Sequence, residues 1–295
     1  MFETIIGNEA IKEKLAKSIE NGTTSHSYLF LGIAGIGKKM LAKELAKELL
    51  CLKQEKDNTC KSCIEFMSNN HPDFMCIEPD GNSIKIEQIR FLQKKILEKP
   101  ILSDRKVYLI EDADTMTTEA QNCLLKTLEE PPEFASIILI GTQENAFLTT
   151  IKSRCMILPF QPIKEEKIRQ YLEANYGITN ITSNQLALFQ GSIGKAIELK
   201  EKQEEYNKIE FMIQNFKQKD LIEMLQLAEP LYKAKEEIGP ILDYMNIVLL
   251  EKAKEESLYT DCIKIVENTK RKLKQNANYD MCIDDLIFNI WEEVN

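Results

Sequence analysis

Residues 32–40 read GIAGIGKKM, between a short apolar run, SYLFL, and a helix-spaced stretch, KKMLAKELAKELLC. Few local patterns restrict a fold more than a strand, a glycine-framed loop and a helix in that order. Gly32 and Gly37 stand five residues apart and Lys38 follows. That is the spacing of a loop whose backbone N–H groups face a phosphate at a helix N-terminus. Gly35 lies between the two and adds flexibility. One position departs from a magnesium-binding loop: Lys39 stands where Ser or Thr would hold the metal. An ammonium offers a metal no lone pair and repels it, although Lys38 and Lys39 together would attract an anion. An ordinary tight strand–helix turn is the competing reading.

The first 160 residues continue the alternation begun there. DFMCIEP (73–79), KVYLIED (106–112), ASIILIGT (135–142) and RCMILPF (154–160) are short apolar runs, and residues 117–132 read as a helix stopped by two prolines. Strands alternating with helices predict an α/β domain with a mostly parallel sheet. After Pro162 no strand pattern remains. The expected division is therefore a parallel-sheet core over 1–161, a small helical module over 162–204 and an all-α module over 205–295. In the last, Ile241, Leu242, Tyr244, Met245, Ile247, Val248, Leu249 and Leu250 cover more than one helix face, which suggests packing on another chain. A self-contained bundle core is the alternative.

The chain of 295 residues is 43% hydrophobic and 29% charged, as in soluble globular proteins. No apolar run approaches the ~20 residues of a membrane helix. MFETIIGNEA has no basic start before an apolar core, so a cytoplasmic protein is expected. The net charge of −9 argues against an autonomous DNA binder.

The run VYLIEDADTM carries acids at a strand end, where a nucleotide motor places Asp and then Glu for magnesium and the attacking water. Here Glu111 precedes Asp112. With Lys39, this makes two departures at the two metal-linked positions, and together they predict weak or absent magnesium-dependent hydrolysis of ATP in this chain's own site.

The stretches KVYLIEDADTMTTEAQNCLLKTLEEPP and ILIGTQENAFLTTIKSRC, with HSYLFLG, HPDF and GSIGKAIEL, resemble the ATPase core of bacterial DNA polymerase III clamp-loader subunits, of the AAA+ class. The match runs over roughly residues 1–200. The altered nucleotide motifs and the short chain are more similar to the delta-prime subunit than to the gamma/tau motor. The resemblance implies a P-loop core, a small lid and a helical collar. It implies partners as well: gamma/tau-type and delta-type subunits, and through the assembly a sliding clamp and primed DNA. In SRC it implies that Arg154 reaches a neighbour's ATP in trans, against the competing reading of a salt bridge at a strand start. Thr142 falls near the γ-phosphate sensor. Lys195 falls where the lid carries a sensor arginine, and a lysine lacks that residue's planar fork. A self-sufficient ATPase of the gamma/tau type is the alternative function.

Eight cysteines in a chain expected to be cytoplasmic do not suggest a disulfide framework. Cys76, Cys123, Cys262 and Cys282 sit among apolar residues and read as buried thiols. Cys60 and Cys63 have the C-x-x-C spacing that shares one zinc ion. The resemblance implies a four-cysteine zinc module at about residues 51–66. Of it, Cys51, Cys60 and Cys63 are present, and Asp57 occupies the remaining place. A structural Zn held by Cys51, Asp57, Cys60 and Cys63 is the expectation, and a vestigial knob with free thiols is the alternative.

Overall fold

The computed structural model describes residues 1–53, 58–235 and 238–295, the side chains of 199–201 excepted. The chain forms two compact units. One comprises residues 1–168 with 191–194, and the other residues 169–190 with 195–295.

The first unit opens with α1 (Glu9–Glu20), β1 (Ser27–Leu31) and α2 (Lys38–Leu50), followed by α3 (Lys61–Met67), β2 (Phe74–Ile77) and α4 (Ile86–Ile96). It continues through β3 (Lys106–Ile110), α5 (Thr118–Glu129), β4 (Ala135–Gly141), α6 (Thr149–Lys152) and β5 (Met156–Pro159). The five strands are all parallel in the order β2-β3-β4-β1-β5. β1, β3 and β4 are buried along their whole length, as expected of strands covered on both faces. On one face Leu29, Ile110, Ile137 and Leu139 pack with Ile89 and Leu92 of α4 and Leu124 of α5.

The register aligns Leu31 with Gly141, Ile110 with Leu139, and Ile77 with Ile110. The carboxyl ends of four neighbouring strands therefore share one rim, where parallel α/β sheets gather their functional groups. Gly32, Glu78, Glu111 and Thr142 each lie one residue past a strand end on that rim.

The chain continues through α7 (Glu165–Tyr176), α8 (Ser183–Phe189), α9 (Ile193–Asn215), α10 (Leu221–Leu227), α11 (Glu229–Lys233), α12 (Ile238–Glu255), α13 (Tyr259–Lys274) and α14 (Tyr279–Val294). In the second unit α8, α12, α13 and α14 pack in succession, and α10 rests on α14. The broad apolar surface of α12 is explained here. It meets α8 and α13, and Ile241, Leu242, Tyr244, Met245, Val248 and Leu249 are buried within the unit. Leu250 alone of the eight is exposed, with Ile247 half-buried. Among the described residues, no helix is long and apolar enough to cross a membrane.

Candidate functional site

Gly37 caps α2 at φ 96°, in the left-handed region that favours glycine. Gly35, at φ +72°, does more than add flexibility. A Cβ there would lie 2.4 Å from Ser192 Oγ, and the Gly194 N–H donates to the Gly35 carbonyl at 2.9 Å. The loop is thus pressed against the Gly-Ser-Ile-Gly turn of the same unit.

The two lysines expected to attract an anion both have partners inside the chain. Lys38 is buried and donates to the carbonyls of Gly32 and Ile33, the latter at 2.8 Å. Burial lowers its pKa, while Asp114 and Asp112 oppose the shift. Lys39 lies 2.6 Å from Glu111 and 3.4 Å from Glu78. The bond to Glu111 is the main cause of its raised pKa. Glu111 is buried, and Asp112 takes a left-handed conformation at φ 44° that opens a short turn, Ala113–Thr115.

An acid that sequence reasoning missed sits in that turn. Asp114 Oδ2 accepts from the Thr142 N–H at 3.0 Å, the Thr142 hydroxyl at 2.7 Å and the Gln143 N–H at 3.1 Å. Burial alone would raise the Asp114 pKa, but these bonds win and leave it lowered. Nothing in the periodicity marks Asp114, because the single 3-10 turn that aims it, Ala113–Thr115, is too short to carry a periodic pattern. Lys195 lies in the second unit, 3.3 Å from Gln190 Oε1.

Arg154 stands two residues before β5, one of the two edge strands of the sheet. Its guanidinium is 2.6 Å from Glu129 Oε1 at the end of α5 and donates to the Thr150 carbonyl at 2.9 Å. In the chain by itself the salt-bridge reading describes this residue, although about a third of the side chain stays exposed.

At the far end of α2 three sulfurs converge. The ligand atoms of Cys51, Cys60 and Cys63 lie within 4.8 Å of one another, with Cys51 and Cys60 sulfurs 3.8 Å apart. A tetrahedral ion with Zn–S bonds of about 2.3 Å needs sulfurs about 3.8 Å apart, a spacing the Cys51–Cys60 pair meets, and Cys63 lies close enough to both to join them on one ion. Burial disfavours the Cys60 thiolate, but N–H groups of Cys63 and Leu52 and the neighbouring thiols outweigh it and bring the pKa down to about 7. Burial, and then the thiols of Cys60 and Cys51, push Cys63 up. Asp57, the expected fourth ligand, lies outside the described residues. All eight cysteines are free thiols. Cys76 departs from its expected burial: it is exposed on the edge strand β2 and donates to Glu111 Oε1 at 3.2 Å. Cys123 is half-buried against the core, and its thiol donates to Gln93 Oε1 at 3.2 Å.

A second feature missed by sequence reasoning anchors this end. Ser62 and Ser103 hydroxyls both donate to the Leu50 carbonyl, at 2.6 and 2.7 Å. Both also contact His71 Nε2, at 2.8 and 3.2 Å. His71 Nδ1 accepts from the Asp73 N–H at 3.0 Å. With both hydroxyl protons on Leu50, the imidazole proton belongs on Nε2. The Asp73 carboxylate accepts the N–H groups of Ile101, Leu102 and Ser103.

Comparison with known proteins identifies the family and the fold. Residues 7–164 match the family described as DNA polymerase III, delta subunit. The delta-prime subunit of Bacillus subtilis is 39% identical over 191 residues, covering 64% of this chain and 58% of that one. The gamma subunit of Buchnera aphidicola is 37% identical over 176 residues, covering 58% and 48%. The chain thus spans about half the length of the curated relatives it matches. A gamma-subunit-related protein of Thermotoga maritima has the same fold at a TM-score of 0.51 and 18% identity, covering 96% of this chain and 99% of that one. With a match over more than half its length, the chain belongs to the DNA polymerase III delta-subunit family and stands close to the delta-prime members of the clamp-loader subunits.

Proposed function

We propose that this chain is a delta-prime-like subunit of a DNA polymerase III clamp loader. It hydrolyses no ATP itself and presents Arg154 to the ATP of a neighbouring gamma/tau-type subunit. Together with a delta-type subunit, the assembly loads the sliding clamp onto primed DNA. In this reading residues 1–161 are the nucleotide-fold core, 162–204 the lid carrying Lys195, and 205–295 a collar that joins the neighbours. Thr142 keeps the sensor position, and Cys51, Cys60 and Cys63, with Asp57, hold a structural zinc ion.

The observation that carries the reading is the pairing of Lys39 with Glu111 at 2.6 Å. The residue in place of the metal-binding hydroxyl ties up the acid at the strand end, which disfavours the gamma/tau-type alternative of hydrolysis in the chain's own loop. The Arg154–Glu129 pair is no obstacle to a trans role. A surface pair of this kind contributes about 0–1 kcal/mol, whereas an arginine at a transferring phosphoryl group is worth up to ~4–7 kcal/mol.

The test is reconstitution with gamma/tau-type and delta-type partners. Arg154→Ala should leave assembly intact and lower DNA- and clamp-stimulated ATP hydrolysis at the neighbour's site by a factor of about 10³ or more. Total turnover should fall by that site's share. Arg154→Lys should rescue poorly, because a lysine has no bidentate fork. Wild-type hydrolysis and clamp loading by the Arg154→Ala complex would refute the trans role.

A further inference from the structure

The acids on the sheet rim hold a cation that belongs to the chain itself. Lys39 Nζ lies 2.6 Å from Glu111 Oε2 and 3.4 Å from Glu78 Oε1. Glu111 is only 8% exposed, and a carboxylate so far out of water demands a counter-charge. On its other oxygen it accepts from Cys76 Sγ at 3.2 Å. The ligand atoms of Cys76, Glu78 and Glu111 all lie within 4.8 Å of one another, a spacing that could hold a metal ion. Three parts of the fold build this place: the end of β2, the end of β3 and the first turn of α2. In a magnesium-dependent loop, the residue at the Lys39 position brings a hydroxyl to the metal. Here it brings a full positive charge on a four-carbon stem. A divalent ion added beside it would meet a like charge and an acid already paired.

We propose that Lys39 is a tethered stand-in for the divalent cation: its ammonium closes the Cys76–Glu78–Glu111 set to metal ions, and removing it opens that set. The inference deepens the reading of a non-hydrolysing site and rests on it. Lys39 is then the residue that determines metal exclusion. The positive charge that a motor borrows from solution is supplied here by the sequence, and it also ties the phosphate-loop helix to the sheet rim.

The probe is Mn²⁺, a hard ion that takes carboxylate oxygens readily and suits the Cys51–Cys60–Cys63 thiols poorly. Uptake by the full chain is followed through loss of the free-ion paramagnetic resonance signal. The wild type is expected to bind no Mn²⁺ that Glu111→Gln can remove. Lys39→Thr is expected to bind one Mn²⁺ per chain at least about tenfold more tightly than the wild type, and adding Glu111→Gln should cancel the gain. Mn²⁺ uptake by the wild type that Glu111→Gln abolishes overturns the proposal. So does a folded Lys39→Thr protein that binds no better than the wild type. A second measurement needs no metal-binding variant. In wild-type protein with ¹³C-methylated lysines, the signal missing from Lys39→Arg identifies Lys39. That signal should stay in place when Mg²⁺ is added, and a shift overturns the proposal. Neither measurement involves ATP turnover or Arg154, so a failure here is read from metal uptake, whereas the trans role of Arg154 is judged by ATP hydrolysis in the reconstituted complex.

Discussion

The two ends of α2 meet their surroundings in opposite ways. At the head, Lys38 and Lys39 have oxygen partners within the chain: two loop carbonyls for one, two carboxylates for the other. At the tail, the Leu50 carbonyl is held by two buried serines, and the next residue turns its sulfur toward Cys60 and Cys63. A lysine finds its counter-charge wherever the fold supplies an acid. Thiols are weak donors and weak acceptors, so three of them gathered together gain little from one another and much from a metal. Convergent sulfurs therefore say more about a ligand than adjacent cations do.

The tail should give the largest response. Cys63 is buried, and Cys63→Ser removes a sulfur from the trio. If the trio holds zinc, protein purified without chelator carries about one zinc per chain. Cys63→Ser should then lose the metal and on the order of 3 kcal/mol of stability in denaturant unfolding. A chelator should reproduce most of the loss. Identical unfolding of wild-type protein with and without chelator would erase the contrast between the two ends and favour a vestigial knob.

His71 offers a finer probe of the same end. Burial lowers its pKa, and the charges of Asp73 and Glu65 do not reverse that. The geometry gives the reason: a proton on Nδ1 would face the Asp73 N–H that now donates to it. The folded state holds the neutral ring, so its folded pKa is below the unfolded value. The contribution is fully present above the ordinary histidine value of about 6.5 and is lost as pH falls through the folded value. Stability measured from pH 8 to pH 5 should decline on the acid side, and His71→Gln should flatten that part of the decline. An unchanged profile in His71→Gln would mean that the tail has no titrating key.

The sequence was most readable where one local pattern decided the outcome. The residues 38–51 stretch is α2 and the run 135–142 is β4, each within a residue or so, because helical spacing and an unbroken apolar run each have one good solution. Reading failed where the outcome depended on a distant partner. Cys76 has apolar neighbours in sequence, yet its sulfur finds Glu111, 35 residues on. The second apolar face of α12 hinted at another chain and is taken up by α8 and α13. For Arg154 the motif left a salt bridge open as the competing reading but could not name the acid, Glu129 at the end of α5. Asp114 and His71 act through turn geometry and backbone N–H groups, which leave no periodic trace.

The smallest expected effect is at the head of α2, and it separates the two readings of the loop. Lys38→Ala removes the ammonium that would reach the outer phosphates in a working loop. In this chain that ammonium bonds the carbonyls of Gly32 and Ile33, so the substitution should cost about 1 kcal/mol of stability through the lost hydrogen bonds. ATP turnover by the isolated protein should not change, because Lys39 and Glu111 are already paired and no metal-binding hydroxyl follows Lys38. The measurement is steady-state phosphate release by wild type and Lys38→Ala at matched folded concentration. Equal background rates support a loop whose cations serve the fold. Turnover by the wild type that disappears in Lys38→Ala would make the head of α2 a ligand site after all, with Lys38 leaving its carbonyls for a phosphate. The gamma/tau-type ATPase would then replace the delta-prime-like reading.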